Sequence, residues 1–215
     1  MNKNELWEIV KKVFKIEISS IEELAATVDK DAIYKIVDMI MECKKNHGRI
    51  ITMGVGTSSA AARKIAHTFS CIEIPSFFLS PADSVHGGLG AAQRNDIAIV
   101  ISKGGNTKEI INVIPSIKKK EVKLIGVTEN ESSVLGKECN LLLKIRIKRE
   151  ADEFNMLATA STMAVISLFD AIAVSLMKYT NYNKEQFAII HPGGAVGDRL
   201  LKEVANDKKN ESSSV

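Results

Sequence analysis

The sequence predicts an α/β protein in which one parallel sheet is covered by helices on both faces, behind an N-terminal helical arm. Three observations predict it. Five short, continuous apolar runs occur at Ile50–Met53, Ile74–Leu79, Ile97–Ile101, Val122–Val127 and Leu141–Ile147. Helical segments fall between some of them, most clearly at Thr107–Lys119. The first 46 residues carry apolar side chains at helical spacing instead. Strands buried on both faces read as unbroken apolar runs, and alternation with helices gives parallel pairing.

The elements follow in order. Leu6, Ile9, Val10, Val13 and Phe14 recur at i, i+3, i+4 spacing, as do Ile33, Ile36, Val37, Ile40 and Met41. Ser19 and Ser20 are expected to divide this arm into two helices, with Gly48 as the C′ glycine of the second. The first strand ends in Gly54-Val55-Gly56-Thr57-Ser58-Ser59, and Ser58 or Ser59 is placed to cap a helix over Ala60–Phe69. After the fifth strand comes a long helix, about Thr159–Tyr179. A short helix ending near Ile190, a glycine-rich turn and a last helix complete a single domain over 1–205, of which 1–47 is the arm. Residues 206–215 form a polar tail expected to fray.

Composition excludes several classes. With 215 residues the chain fits one domain, at about 150 residues per domain, and has enough length to bury a core unaided. The net charge of +3 is spread along the chain and aromatics are 5% of residues, which argues against nucleic acid as a partner. Cys43, Cys71 and Cys139 are odd in number and have no CxxC spacing, so the chain reads as a protein of a reducing compartment, without a disulfide framework or zinc knuckle. The N-terminus has no signal-peptide apolar core, and the cytoplasm is the expected location. The most apolar stretch, Met156–Met177, contains Asp170 and several hydroxyls and reads as a buried helix, so no membrane partner is expected.

In open parallel sheets ligands bind at the carboxyl ends of the strands, so residues just after each run are the candidates. Gly56, Thr57 and Ser58 follow the first run. Ser102, Lys103, Gly104, Gly105, Asn106 and Thr107 follow the third and open a helix. Glycines, hydroxyls, a lysine and helix N-termini suit a phosphate. The first loop lacks the third glycine of a dinucleotide fingerprint and the GK[ST] of a P-loop. Two ordinary capped turns are the plain alternative. His47 and His67 lie in helical stretches and read as structural. His86 and His191 lie in glycine-rich loops and are candidate acid/base groups. On local pattern alone Glu150 reads as a solvated charge among Lys148, Arg149, Asp152 and Glu153.

Six segments in this order carry a resemblance: Gly54–Ser58, Ser84–Gly90, Ser102–Thr107, Lys148–Ala151, Thr159–Thr162 and His191–Gly197. Over roughly residues 20–202 the chain resembles the sugar-isomerase (SIS) family, and within it the SIS domains of D-arabinose 5-phosphate isomerases. The resemblance implies a three-layer αβα sandwich with a five-stranded parallel sheet. It implies homodimers or homotetramers with sites between subunits and the His191 position supplied by a neighbouring chain. It also implies aldose–ketose isomerisation of a sugar phosphate through an enediol, with no nicotinamide or flavin cofactor; Asp83 and His86 supply too few ligands for a metal site, so no metal is expected. Position by position, it puts phosphate at Ser58, Ser102 and Thr107, and lines the same pocket with Ser161 and Thr162. It makes Glu150 the base, His191 the group for ring opening or oxygen protonation, and His86 a residue that orients the sugar.

The chain also departs from that pattern. Thr57 stands where the isomerases usually carry a lysine. Gly104 and Asn106 stand where they usually carry a serine and a glutamate. The paired CBS domains that often follow have no counterpart in these 215 residues. Three functional readings therefore stay open: a sugar-phosphate isomerase, a sugar-phosphate-binding module with a sensing or regulatory role, and a SIS enzyme of another reaction type such as a sugar-phosphate lyase or deaminating isomerase, against which the His191-Pro192-Gly193-Gly194 segment argues.

Overall fold

In the computed structural model, which describes residues 1–194, 197–199 and 203, five strands form one fully parallel sheet. The strands are β1 (Ile50–Gly54), β2 (Ser76–Phe78), β3 (Ile97–Ile101), β4 (Lys123–Thr128) and β5 (Leu141–Lys144), in the order β2-β1-β3-β4-β5. The predicted runs at 74–79 and 141–147 contract to three and four residues because they form the two sheet edges, where pairing ends sooner. The chain leaves β1 toward β2 on one side and resumes at β3 on the other, which makes a topological switch between β1 and β3.

The helices are α1 (Lys3–Thr27), α2 (Lys30–Lys45), α3 (Thr57–Ser70), α4 (Pro81–Ser84), α5 (Lys108–Lys119), α6 (Val134–Glu138), α7 (Ala160–Tyr179) and α8 (Lys184–Ile190). Successive strand residues feed opposite layers, as the pleat requires. Ile50, Ile97, Ile99, Ile125 and Val127 pack with α2, α3 and α7. Ile51, Met53, Ala98, Val100 and Leu124 pack with α5 and Leu135 of α6. These two cores give the three layers that the family pattern implied. The buried Asp96 ties the amino ends of the strands by accepting from the Arg49 and Gln93 backbone N–H groups, both at 2.8 Å.

The structure departs from the sequence expectations at several points. Ser19 and Ser20 do not break the arm, because both hydroxyls donate back to the Ile16 carbonyl within a continuous α1. The break falls at Val28–Asp29, where the Asp29 carboxylate caps α2 through the Asp31 and Ala32 N–H groups. His47, not Gly48, takes the left-handed position after α2, with φ 56°. Gly48 donates to the Cys43 carbonyl at 2.8 Å, and a Cβ there would overlap the Asn95 carbonyl. The helix expected over Ala60–Phe69 starts earlier, at Thr57, without a side-chain cap. α7 is long and apolar enough to cross a membrane, yet Ala164, Leu168, Phe169, Ile172 and Leu176 are buried in the core and the helix packs on α1 and α3. Most of the predicted last helix and all of residues 206–215 lie outside the described residues.

Candidate functional site

A small cleft opens at the carboxyl ends of β3, β4 and β5, closed on the far side by α7. Its polar lining is Ser58, Lys103, Thr128, Glu129, Ser161 and Thr162. The β1–α3 turn is made by Gly56, whose φ of 58° and ψ of −131° suit a residue with no Cβ. The N-terminus of α3 carries no acidic residue in its first turn, so its partial positive charge faces outward uncompensated. Thr107 starts α5 without a side-chain cap, and Glu109 stands in the first turn of that helix.

The β3–α5 loop is internally bonded. Ser102 is buried; its hydroxyl lies 2.9 Å from Thr107 Oγ1 and accepts from the Gly105 N–H at 3.1 Å. The Lys103 carbonyl accepts from Thr128 Oγ1 at 2.8 Å and from the Glu129 N–H at 3.1 Å. Gly105 has φ 71°, and a methyl there would overlap the Ser133 hydroxyl, which is itself engaged with Asn130 and Gly136. Gly105→Ala is therefore expected to lower the thermal midpoint and to disturb this loop; an unchanged midpoint in a thermal scan would show that the loop relaxes freely. Asn106 turns away from the cleft and accepts from the Val134 N–H at 2.9 Å, capping α6.

Glu150 follows the irregular segment after β5 and is 1% exposed, which overturns its reading as a solvated charge. Its Oε1 accepts from Lys103 Nζ at 2.8 Å. Its Oε2 accepts from the N–H groups of Thr159 and Ser161 at 3.0 and 3.1 Å and from the Thr159 hydroxyl at 3.3 Å. The carboxylate thus stands at the N-terminus of α7, where negative charge is favoured. Burial pushes its pKa up, but the Lys103 ammonium and the Ser161 and Thr159 donors outweigh that and hold it at about 2. A folded-state value below the ordinary one stabilises the native state above about pH 4.5, and this contribution fades as pH falls toward 2. Denaturant midpoints measured between about pH 6 and pH 3 are expected to fall less steeply in Glu150→Gln than in the unaltered protein. Equal slopes would remove Glu150 from the acid response.

The structure brings together Ser58, Lys103, Ser161 and Thr162 of the predicted residues, with Glu150 directly beneath them, bonded to Lys103 and Ser161. Thr57, Ser102, Gly104, Gly105, Asn106 and Thr107 frame the site without lining the cleft. His86 is exposed in the loop after α4 and does not line it either. His191 stacks on Phe187 at 3.9 Å between ring centroids, and its Nδ1 lies 3.0 Å from the Phe187 carbonyl. The sequence reading does not include Thr128 and Glu129, although they follow the fourth apolar run as the others follow theirs. Arg63 stacks over the Phe78 ring at 3.9 Å, and among the described residues Lys103 is the only cation lining the cleft. Among the described residues no group of three or more His, Cys, Asp or Glu side chains is placed to hold a metal ion.

A doubly wound α/β domain with an anion-suited cleft beside its switch point is the class that fold and site define. The SIS domain model matches residues 44–175, and the chain belongs to the SIS domain family. It is 34% identical to arabinose 5-phosphate isomerase KdsD of Francisella tularensis over 195 residues, covering 91% of this chain and 59% of that protein. The chain thus spans about three fifths of the length of the curated relatives it matches. Among solved structures it is similar to a Listeria monocytogenes protein proposed to be a sugar-phosphate isomerase, with TM-score 0.87 and 49% identity over 90% of this chain and 100% of that one. It is also similar to a protein of Escherichia coli CFT073 in complex with arabinose 5-phosphate, with TM-score 0.85 and 32% identity over 89% of this chain and 100% of that one.

Proposed function

We propose that the protein is a sugar-phosphate aldose–ketose isomerase that interconverts ribulose 5-phosphate and arabinose 5-phosphate, or a close stereochemical relative. The observation that carries this reading is the likeness, over the whole of that chain, to the Escherichia coli structure in complex with arabinose 5-phosphate. The cleft supports it with an anion-suited end at Ser58 and Lys103 and a carboxylate beneath its floor.

The chemistry requires one proton to move between adjacent carbons. In the direction of the aldose, Glu150 takes the C1 proton of the ketose. The C–H electron pair forms the C1–C2 double bond, and the carbonyl oxygen is protonated to give the enediol. The same proton then returns from Glu150 to C2, and the C1 hydroxyl loses its proton to become the aldehyde. His191 would handle the oxygen protons and His86 would orient the sugar. His191 does not face the cleft of its own chain, which favours a homodimer or homotetramer in which a neighbouring chain supplies it. Exposed Trp7, Phe14 and Ile18 on α1, and Phe154 and Met156 near the cleft, favour such contacts. A cytoplasmic location completes the proposal.

The second reading, a binding module without turnover, is favoured by Asn106, whose side chain caps α6 and leaves no carboxylate at that position. NMR in D₂O with ribulose 5-phosphate and a panel of pentose and hexose phosphates separates the two. Product, or deuterium entering C1 or C2, is the expected result. Saturable binding without exchange for every member of the panel would establish the binding module instead.

A further inference from the structure

The two oxygens of Glu150 are held differently. Oε2 receives three donors at or next to the start of α7, all within one turn of chain. Oε1 receives Lys103 Nζ at 2.8 Å, and the Ser161 hydroxyl also donates to the carboxylate. The Lys103 side chain is 40% exposed, whereas that of Glu150 is 1% exposed. Lys103 is also the one cation that lines the cleft among the described residues. One ammonium therefore serves a buried carboxylate below and an open anion-suited cleft above.

The other charged groups nearby do not compete for that role. Arg149, next in the chain, turns its guanidinium to the carbonyls of Glu150 and Asp152. The Asp152 carboxylate accepts from the N–H groups of Phe154, Met156 and Leu157. Glu129 lines the cleft from the end of β4. Of these groups only Lys103 touches the carboxylate.

We propose that Lys103 is a positioning residue shared between Glu150 and the ligand phosphate, so that phosphate binding draws the ammonium off Oε1 and frees that oxygen to accept a proton. The proposal deepens the isomerase reading and rests on it. A phosphate offers the ammonium several acceptor oxygens in place of the single carboxylate oxygen it now holds, and the flexible four-carbon stem of lysine lets the head group move. Glu150 keeps its three Oε2 donors throughout, so the carboxylate stays in place while its proton affinity rises. The free protein would then hold its base blocked, and only a phosphorylated ligand would release it.

Carboxyl ¹³C NMR of glutamate-labelled protein tests this, with the Glu150 signal assigned by its loss in Glu150→Gln. The pH midpoint of that signal is measured free, with saturating arabinitol 5-phosphate, and with arabinitol. The expected result is a rise of about one pH unit or more with the phosphate, tenfold or more in proton affinity, and none with the free polyol. In Lys103→Met the midpoint starts high and does not move with ligand; Lys103→Arg, which keeps the charge, restores a low starting value. An unmoved midpoint under saturating arabinitol 5-phosphate, a Lys103→Met midpoint as low as the original, or no saturable binding of the polyol phosphate would each overturn the proposal. If the midpoint moves but no sugar phosphate is turned over, the isomerase reading fails and the coupling stands. If turnover is seen and the midpoint is fixed, the coupling fails alone.

Discussion

Glu150→Gln is expected to reduce turnover of the preferred sugar phosphate by about 10²–10⁴-fold, the usual contribution of a general base. Ligand affinity is expected to change far less, because the anion-suited groups at Ser58 and Lys103 remain. The substitution keeps one oxygen to accept from the Thr159 and Ser161 N–H groups, so the start of α7 retains its partner. It removes the second oxygen, the one bonded to Lys103 and the one proposed to receive the proton. A fall in kcat with ligand affinity held within about threefold is the signature of a group that acts in the transition state. Turnover at the original rate would remove Glu150 from the chemistry and leave it as the cap of α7. A parallel loss of kcat and of affinity would mean that the ion pair shapes the cleft rather than reacts in it.

Phe169→Ala is expected to destabilise the fold by about 3–5 kcal/mol, the range for truncating a buried aromatic ring. Phe169 is 1% exposed on α7, and its ring meets that of the fully buried Phe69 on α3 edge to face, with centroids 6.1 Å apart and an interplanar angle of 73°. The pair joins the helix that starts at the β1 turn to the helix that carries Ser161 and Thr162. The cavity left behind would sit between α3 and α7, the two helices whose first turns line the cleft, so sugar-phosphate affinity is expected to fall with stability. Urea unfolding gives the first quantity and ligand titration below the transition gives the second. A loss under about 1 kcal/mol would show that α3 and α7 close over the gap and that the ring pair is not what fixes their spacing.

Much of the site is legible in the sequence because it lies at strand ends. The apolar runs locate β1, β3 and β4 to within a residue or two, and the rule that ligands gather after such runs leads to Ser58 and Lys103. The same rule applied to the fourth run reaches Thr128 and Glu129, so the signal for them is present in the sequence. Ser161 and Thr162 come from the family pattern, since nothing local separates them from any helix start. The sheet edges are overestimated because an apolar run does not show how long its neighbour is.

What the sequence by itself determined is the class of fold and the strand ends where an anion has room. Unbroken apolar runs require burial on both faces, helical spacing supplies the covering layers, and glycine with hydroxyls after a strand leaves room for an anion. What only the tertiary structure decided is how the polar groups pair. Lys103 and Glu150 are 47 residues apart, and Asn106 and the N–H it caps are 28 apart. Both pairings depend on the adjacency of β3 and β4, and that of Lys103 with Glu150 also on where α7 begins. A local pattern reports which face of an element is buried; which distant side chains meet there is settled only when the layers pack.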